Sequence, residues 1–149
     1  MTEINIDGLT EIEEIQSILS LYKEAKNYIE DFNWCVSTKK CWYDKDHGIY
    51  EKIGIFLFEI EPLNDTVDDF IWVIVGDLPS VYLDKSVMTG HEALETYCEL
   101  MQEWVDNVKN EKSLDECYPV SIDPTIENAD LLNTRISFIR RELLFTDDK

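Results

Sequence analysis

Between residues 70 and 75 the chain runs Phe-Ile-Trp-Val-Ile-Val with no polar break. Ile71, Val73, Ile74 and Val75 are β-branched, and polar residues bound the run on both sides. A run this short and this branched suits a strand covered on both faces. Residues 50–60 predict a second inner strand, with Ile53, Ile55 and Leu57 on one side and Phe56, Phe58 and Ile60 on the other. Residues 34–43 predict a third. There Trp34, Val36 and Trp42 share one parity, and Cys35, Ser37, Lys39, Cys41 and Tyr43 the other. Residues 44–48 read as a hairpin turn in which Gly48 supplies the positive φ. Pro62 ends the second strand and an acidic loop, residues 64–69, follows. Residues 81–83 make either a short fourth strand or an extended exit.

Elsewhere the apolar rhythm is helical. Thr10 and Glu13 form a capping box ahead of a stripe of Ile12, Ile15, Ile18, Leu19, Tyr22, Ala25 and Ile29, which predicts a helix ending near Asp31. Thr89 and Glu92 repeat the box. A helix to about Lys109 then buries Ala93, Leu94, Tyr97, Leu100, Met101, Trp104, Val105 and Val108. Asp123 as N-cap with Pro124 at the first helical position opens a last helix, whose stripe is Ala129, Leu132, Ile136, Ile139 and Leu143. Residues 146–149 should fray. The expected fold is one α+β domain over residues 1–149. It has an N-terminal helix, an antiparallel meander of three to four strands, then two C-terminal helices packed on the sheet.

Charge changes this picture most. Against 13 Lys+Arg stand 32 Asp+Glu, a net charge of −19. Such a chain repels nucleic acid, whose affinity comes largely from cations on phosphate, and anionic membrane surfaces as well. It attracts cations, among them basic proteins. The 44% apolar content argues against disorder despite that charge. The first residues carry neither a basic stretch nor an apolar one, so the sequence predicts no export signal. No apolar run approaches the ~20 residues of a membrane span. Cys35, Cys41, Cys98 and Cys117 lack Cys-x-x-Cys spacing, and His47 and His91 complete no zinc pattern. Reduced thiols in a cytoplasmic protein without metal or cofactor are the expectation.

The sharpest feature is on the second helix. Glu92, Glu95, Glu99, Glu103 and Asp106 are spaced 3, 4, 4 and 3 residues apart. At 100° per residue they fall within an arc of about 80° and form a ridge roughly 21 Å long. Like charges at this spacing destabilise the helix by ~1–2 kcal/mol in all. The ridge reads as a docking strip for a basic partner, and alternatively as the solvated face of a very acidic protein. All three arginines, Arg135, Arg140 and Arg141, fall on the last helix, where internal ion pairs are the favoured reading over a subunit contact or an anion site.

Asp77 follows the buried strand and precedes Pro79. Its first reading is a turn residue, its second a general base or ligand. His91 sits in the first turn of a helix, where the dipole disfavours protonation, and is expected to be exposed. Together with Tyr82 these two residues define an alternative, a small-ligand or enzymatic pocket. No glycine-rich phosphate loop, Gly-x-Ser-x-Gly elbow or His-Glu-x-x-His helix is present.

The stretch from Trp72 to Pro79, followed by Tyr82, resembles a signature of small bacterial proteins in which a hydrophobic strand ends in Gly-Asp-Leu-Pro and a helix follows. The resemblance covers a short stretch and implies a bacterial cytosolic protein. It brings no catalytic residues. Size, acidity and the ridge lead to the expectation of a non-enzymatic acidic protein that recognises a basic protein, for instance a bacterial immunity protein that plugs a toxin nuclease. A homodimer joined through exposed aromatics is a further reading.

Overall fold

The computed structural model describes residues 3–5, 12–44, 53–120 and 122–144. The predicted capping box at Thr10, the turn after Asp44 with Gly48 and His47, and the residues from 145 onward lie outside these. The elements in order are β1 (Glu3–Asn5), α1 (Ile12–Glu30), β2 (Cys35–Tyr43), β3 (Ile53–Pro62), β4 (Phe70–Gly76), β5 (Val81–Leu83), α2 (Gly90–Lys109) and α3 (Ile126–Glu142). The chain is α+β, with an N-terminal helix, a four-stranded antiparallel meander and two C-terminal helices, as the pattern predicts. It falls into two compact units, Met1–Ala93 and Leu94–Lys149.

The first unit is built on a five-stranded sheet in the order β1-β2-β3-β4-β5. Strands β2 to β5 form the expected antiparallel meander. The pattern did not reveal β1, which pairs parallel to β2 from Glu3 opposite Lys40 to Asn5 opposite Trp42. Three residues are too few to show a periodicity, and α1 supplies the crossover that a parallel pair needs.

Residues Ile71 to Val75 are all buried, so β4 is covered on both faces. On one face Phe56, Phe58, Ile60, Ile71, Val73 and Val75 meet Ile18, Leu21, Ala25 and Ile29 of α1 in a single cluster. Leu21 takes the place predicted for Leu19, which is 40% exposed. Leu19 stands about 100° around the helix from Ile18, beyond the covered arc. Gly54 lets α1 come close, since a Cβ there would stand 2.7 Å from the Phe56 ring and 3.2 Å from Leu21 Cδ1. The indole of Trp72 donates to the Val87 carbonyl at 2.9 Å, which satisfies its one polar atom within a buried ring.

Strand β2 departs from the predicted alternation. Its buried residues are Cys35, Thr38 and Cys41, every third position. The register against β3 slips between Cys35 and Ser37 and again between Thr38 and Lys40, so Val36 and Lys39 are bulged out. Two slips of one residue restore parity at Cys41 and bring Thr38 inward between them. The buried Thr38 hydroxyl donates to Glu30 Oε2 at 2.8 Å. All four cysteines are free thiols.

Helix α3 starts later than predicted. Thr125 is its N-cap, and its hydroxyl accepts from the Asn128 N–H at 3.1 Å. The Asn128 side-chain amide reaches back to the Asp123 carbonyl at 3.0 Å. Asp123 and Pro124 therefore lie ahead of the helix. Thr125 holds the cap because its hydroxyl takes the Asn128 N–H while the Asn128 side chain fastens the preceding turn to Asp123. Leu143, predicted in the stripe, is the half-buried C-cap.

Candidate functional site

Helix α2 begins with a built cap in the first unit. Thr89 Oγ1 accepts the Glu92 N–H at 3.1 Å, and Glu92 Oε1 accepts the Met88 N–H at 2.8 Å. The predicted reciprocal pair forms, with Glu92 reaching one residue further back than the usual box. A Cβ on Gly90 would fall on the Asp44 carboxylate, which would have to swing aside. The Asp44 carboxylate thus lies against the helix start, where the dipole favours an anion. Glu92 is accordingly committed to the cap as well as standing at the head of the ridge.

The other four ridge residues, Glu95, Glu99, Glu103 and Asp106, lie in the second unit and are all exposed. The opposite face buries Ala93, Leu94, Tyr97, Cys98, Met101, Trp104, Val105 and Val108. Leu100, predicted among them, is half-buried on the flank. Among the described residues, no lysine or arginine forms an ion pair with any of the four carboxylates. The nearby thiols register their field. Cys98 is pushed up to about 11 by burial, with Arg140 opposing and Glu95 and Glu99 adding to the rise. Cys117 is raised by burial first and by Glu103 next.

The C-terminal end of α2 shapes the ground beside the ridge. Lys112 N–H returns to the Asn107 carbonyl at 2.8 Å and Glu111 N–H to the Val108 carbonyl at 3.2 Å, the two bonds of a Schellman motif. Glu111 takes the left-handed position with φ 56°. Asn107 Nδ2 then holds the Ser113 carbonyl at 2.9 Å and contacts Cys117 Sγ at 3.4 Å, which folds this segment back along the helix. From α3, Arg140 donates to Gln102 Oε1 at 2.8 Å, and Gln102 Nε2 donates to Asp106 Oδ1 at 3.0 Å and Asn133 Oδ1 at 3.3 Å. Lys109 pairs with Asp130 at 2.6 Å.

The result is an open depression of about 650 Å³ over the ridge, lined by Glu99, Glu103 and Asp106 and flanked by Asn107, Asn110, Lys112 and Arg140. Its lining combines these carboxylates with the side-chain amides of Gln102, Asn107 and Asn110 and the cations Lys112 and Arg140. The i, i+4 spacing of Gln102 and Asp106 was readable in advance. The bond from Arg140 spans 38 residues, and no local pattern announces it. Of the arginines, Arg141 makes an internal pair, with Glu142 Oε2 at 2.9 Å, and it also sits 5.8 Å over the Phe138 ring. Arg140 bonds a neutral amide instead.

Two residues of the alternative pocket, Asp77 and Tyr82, stand apart along the sheet. Asp77 is exposed in the bend after β4. Tyr82 is half-buried on the α1 face, with its ring 4.9 Å from Phe32 and 5.0 Å from Trp34 between centroids. Tyr82 pairs with Val73, so Asp77 lies four residues, about 13 Å, further along β4. His91 is half-buried and its Nε2 is enclosed, contrary to the exposed position predicted for it. The apolar residues that follow it, Ala93 and Leu94, are fully buried and draw the first turn inward. Among the described residues, no group of three or more His, Cys, Asp or Glu side chains is placed to hold a metal ion. No helix among them is long and apolar enough to cross a membrane.

No family model matches this chain, and neither does any curated protein or any solved structure.

Proposed function

We propose that the chain is a non-enzymatic acidic binding protein whose α2 ridge docks a basic protein partner. The observation that carries this reading is the row Glu95, Glu99, Glu103 and Asp106. These carboxylates are exposed along one helix face and share no ion pair with a lysine or arginine among the described residues. Elsewhere the chain does use its cations, pairing Lys26 with Glu30, Lys39 with Glu61, Lys85 with Asp69 and Lys109 with Asp130. The ridge thus keeps its like-charge repulsion, which a cationic partner would relieve. The amides and cations that line the depression beside these carboxylates would meet the partner's polar groups.

The finer reading is a bacterial, cytoplasmic immunity protein whose partner is a toxin nuclease. Nucleases present cationic clefts to phosphate, and an anionic ridge would enter such a cleft quickly under electrostatic steering. The test is replacement of Glu95, Glu99 and Glu103 by lysine, read by calorimetric titration with an arginine-rich peptide and by inhibition of a basic nuclease domain. The triple variant should unfold cooperatively and lose binding. Affinity equal to that of the unaltered chain would end the ridge reading.

A further inference from the structure

At one end of the sheet α1, β3 and β5 finish and β2 and β4 begin, so the connecting turns gather there. Three aromatic rings close on one another at this end. Phe32 and Trp34 stack at 5.0 Å, and Tyr82 leans on both at 4.9 and 5.0 Å. All three are only half-buried, packed on the core from its rim. Leu63, whose N–H bonds the Trp34 carbonyl at 2.9 Å, is 58% exposed beside them. The same turns carry Asp31, Asp65, Asp68, Asp69 and Asp84. Lys85 is the cation there, and it is engaged, with its N–H on Asp68 Oδ2 at 3.1 Å and its ammonium on Asp69 Oδ1 at 3.5 Å.

We propose that this end of the sheet is a second docking surface, one that takes an arginine-bearing basic polypeptide segment on its aromatic centre and acidic rim. Trp, Tyr and Phe at the centre of a patch with polar groups around it is the anatomy of an interface. Charge selects the occupant. A rim of aspartates repels an acidic segment, including a second copy of this chain, and welcomes a basic one. Arginine in particular combines a planar face for stacking on the rings with a fork for the carboxylates. The rings already touch one another, so they enclose no cage, and an arginine side chain would lie across the part of them that solvent reaches. The inference rests on the reading of the chain as a receptor for a basic protein and places an anchor for it on a surface other than the ridge.

The experiment is calorimetric titration of the full chain with an arginine-rich peptide, its lysine-for-arginine twin and an acidic peptide. Three proteins are compared: the unaltered chain, Leu63→Lys with Asp65→Lys, and the ridge variant. Leu63 and Asp65 are exposed, so the double variant should keep its melting temperature. The expected result is tighter binding of the arginine peptide than of its twin, and a loss of at least about tenfold on the double variant. Such a loss with the ridge variant unaffected would uphold this surface and remove the ridge. Loss on the ridge variant alone would overturn this surface and leave the ridge reading standing. Absence of binding to the unaltered chain would overturn both. Equal binding of all three peptides would mark an unselective apolar patch. A dimer by light scattering that the double variant dissolves would mark a self-association face. Either outcome would overturn the proposal.

Discussion

Thr38 shows how much one hydroxyl decides. It is the buried polar residue of β2, and its bond to Glu30 ties the end of α1 to the sheet. Burial raises the Glu30 carboxyl, but hydrogen bonds from Lys26 and Thr38 outweigh it and leave the group below its ordinary value of 4.5. A carboxylate with a lowered folded-state pKa stabilises the fold above its ordinary value. That contribution fades as pH falls through the lowered one. Thr38→Val keeps the shape and removes the donor. At neutral pH it should destabilise by about 1 kcal/mol, since Glu30 remains partly solvated. The gap to the unaltered protein should narrow in acid, as read by denaturant melts at pH 7 and pH 3. A gap that is constant with pH would show that Glu30 is no part of it.

At the scale of elements, the legible parts were those governed by local chemistry. The α2 cap at Thr89 and Glu92, the doubly covered β4 and the parity of β3 all follow from residues a few positions apart. What failed did so where a distant contact or an extra residue intervened, where an element was too short, or where one local cap outcompeted another. The bulges at Val36 and Lys39 turned a period of two into three along β2. Strand β1 was too short for any rhythm, and Thr125 displaced Asp123 as a cap through Asn128. The ridge was readable, but its flanks were not, because Arg140 and the turn at 110–117 arrive from elsewhere in the chain. The end of α2 makes its own prediction. Glu111 holds a left-handed φ of 56° that glycine adopts without a Cβ penalty. Glu111→Gly should stabilise by about 0.5–1 kcal/mol, the strain relieved less the added chain entropy. A lower melting temperature would mean that the glutamate side chain stabilises this turn by more than its strain.

Over the whole molecule, a charge of −19 sets the sign of every long-range encounter. On the proposed reading that charge would repel phosphate backbones and draw cationic surfaces in, and salt should weaken the attraction. Net charge alone selects no site, however. Selection requires that one arrangement of carboxylates matter more than their number. The aspartates and glutamates outside the ridge serve as the comparison. Asp123, Glu127 and Glu142 are exposed and lie in the same unit as Glu95, Glu99 and Glu103.

The most direct measurement sets two triple lysine variants side by side, one at Glu95, Glu99 and Glu103 and one at Asp123, Glu127 and Glu142. Both change the net charge equally. Affinity for an arginine-rich peptide is taken at about 50 and about 300 mM salt, on either side of a Debye length of roughly 10 Å. The ridge variant should lose binding at both salts, while the other should lose only the modest part that salt also removes. Equal losses in the two variants would contradict the account and reduce the acidity to a bulk property.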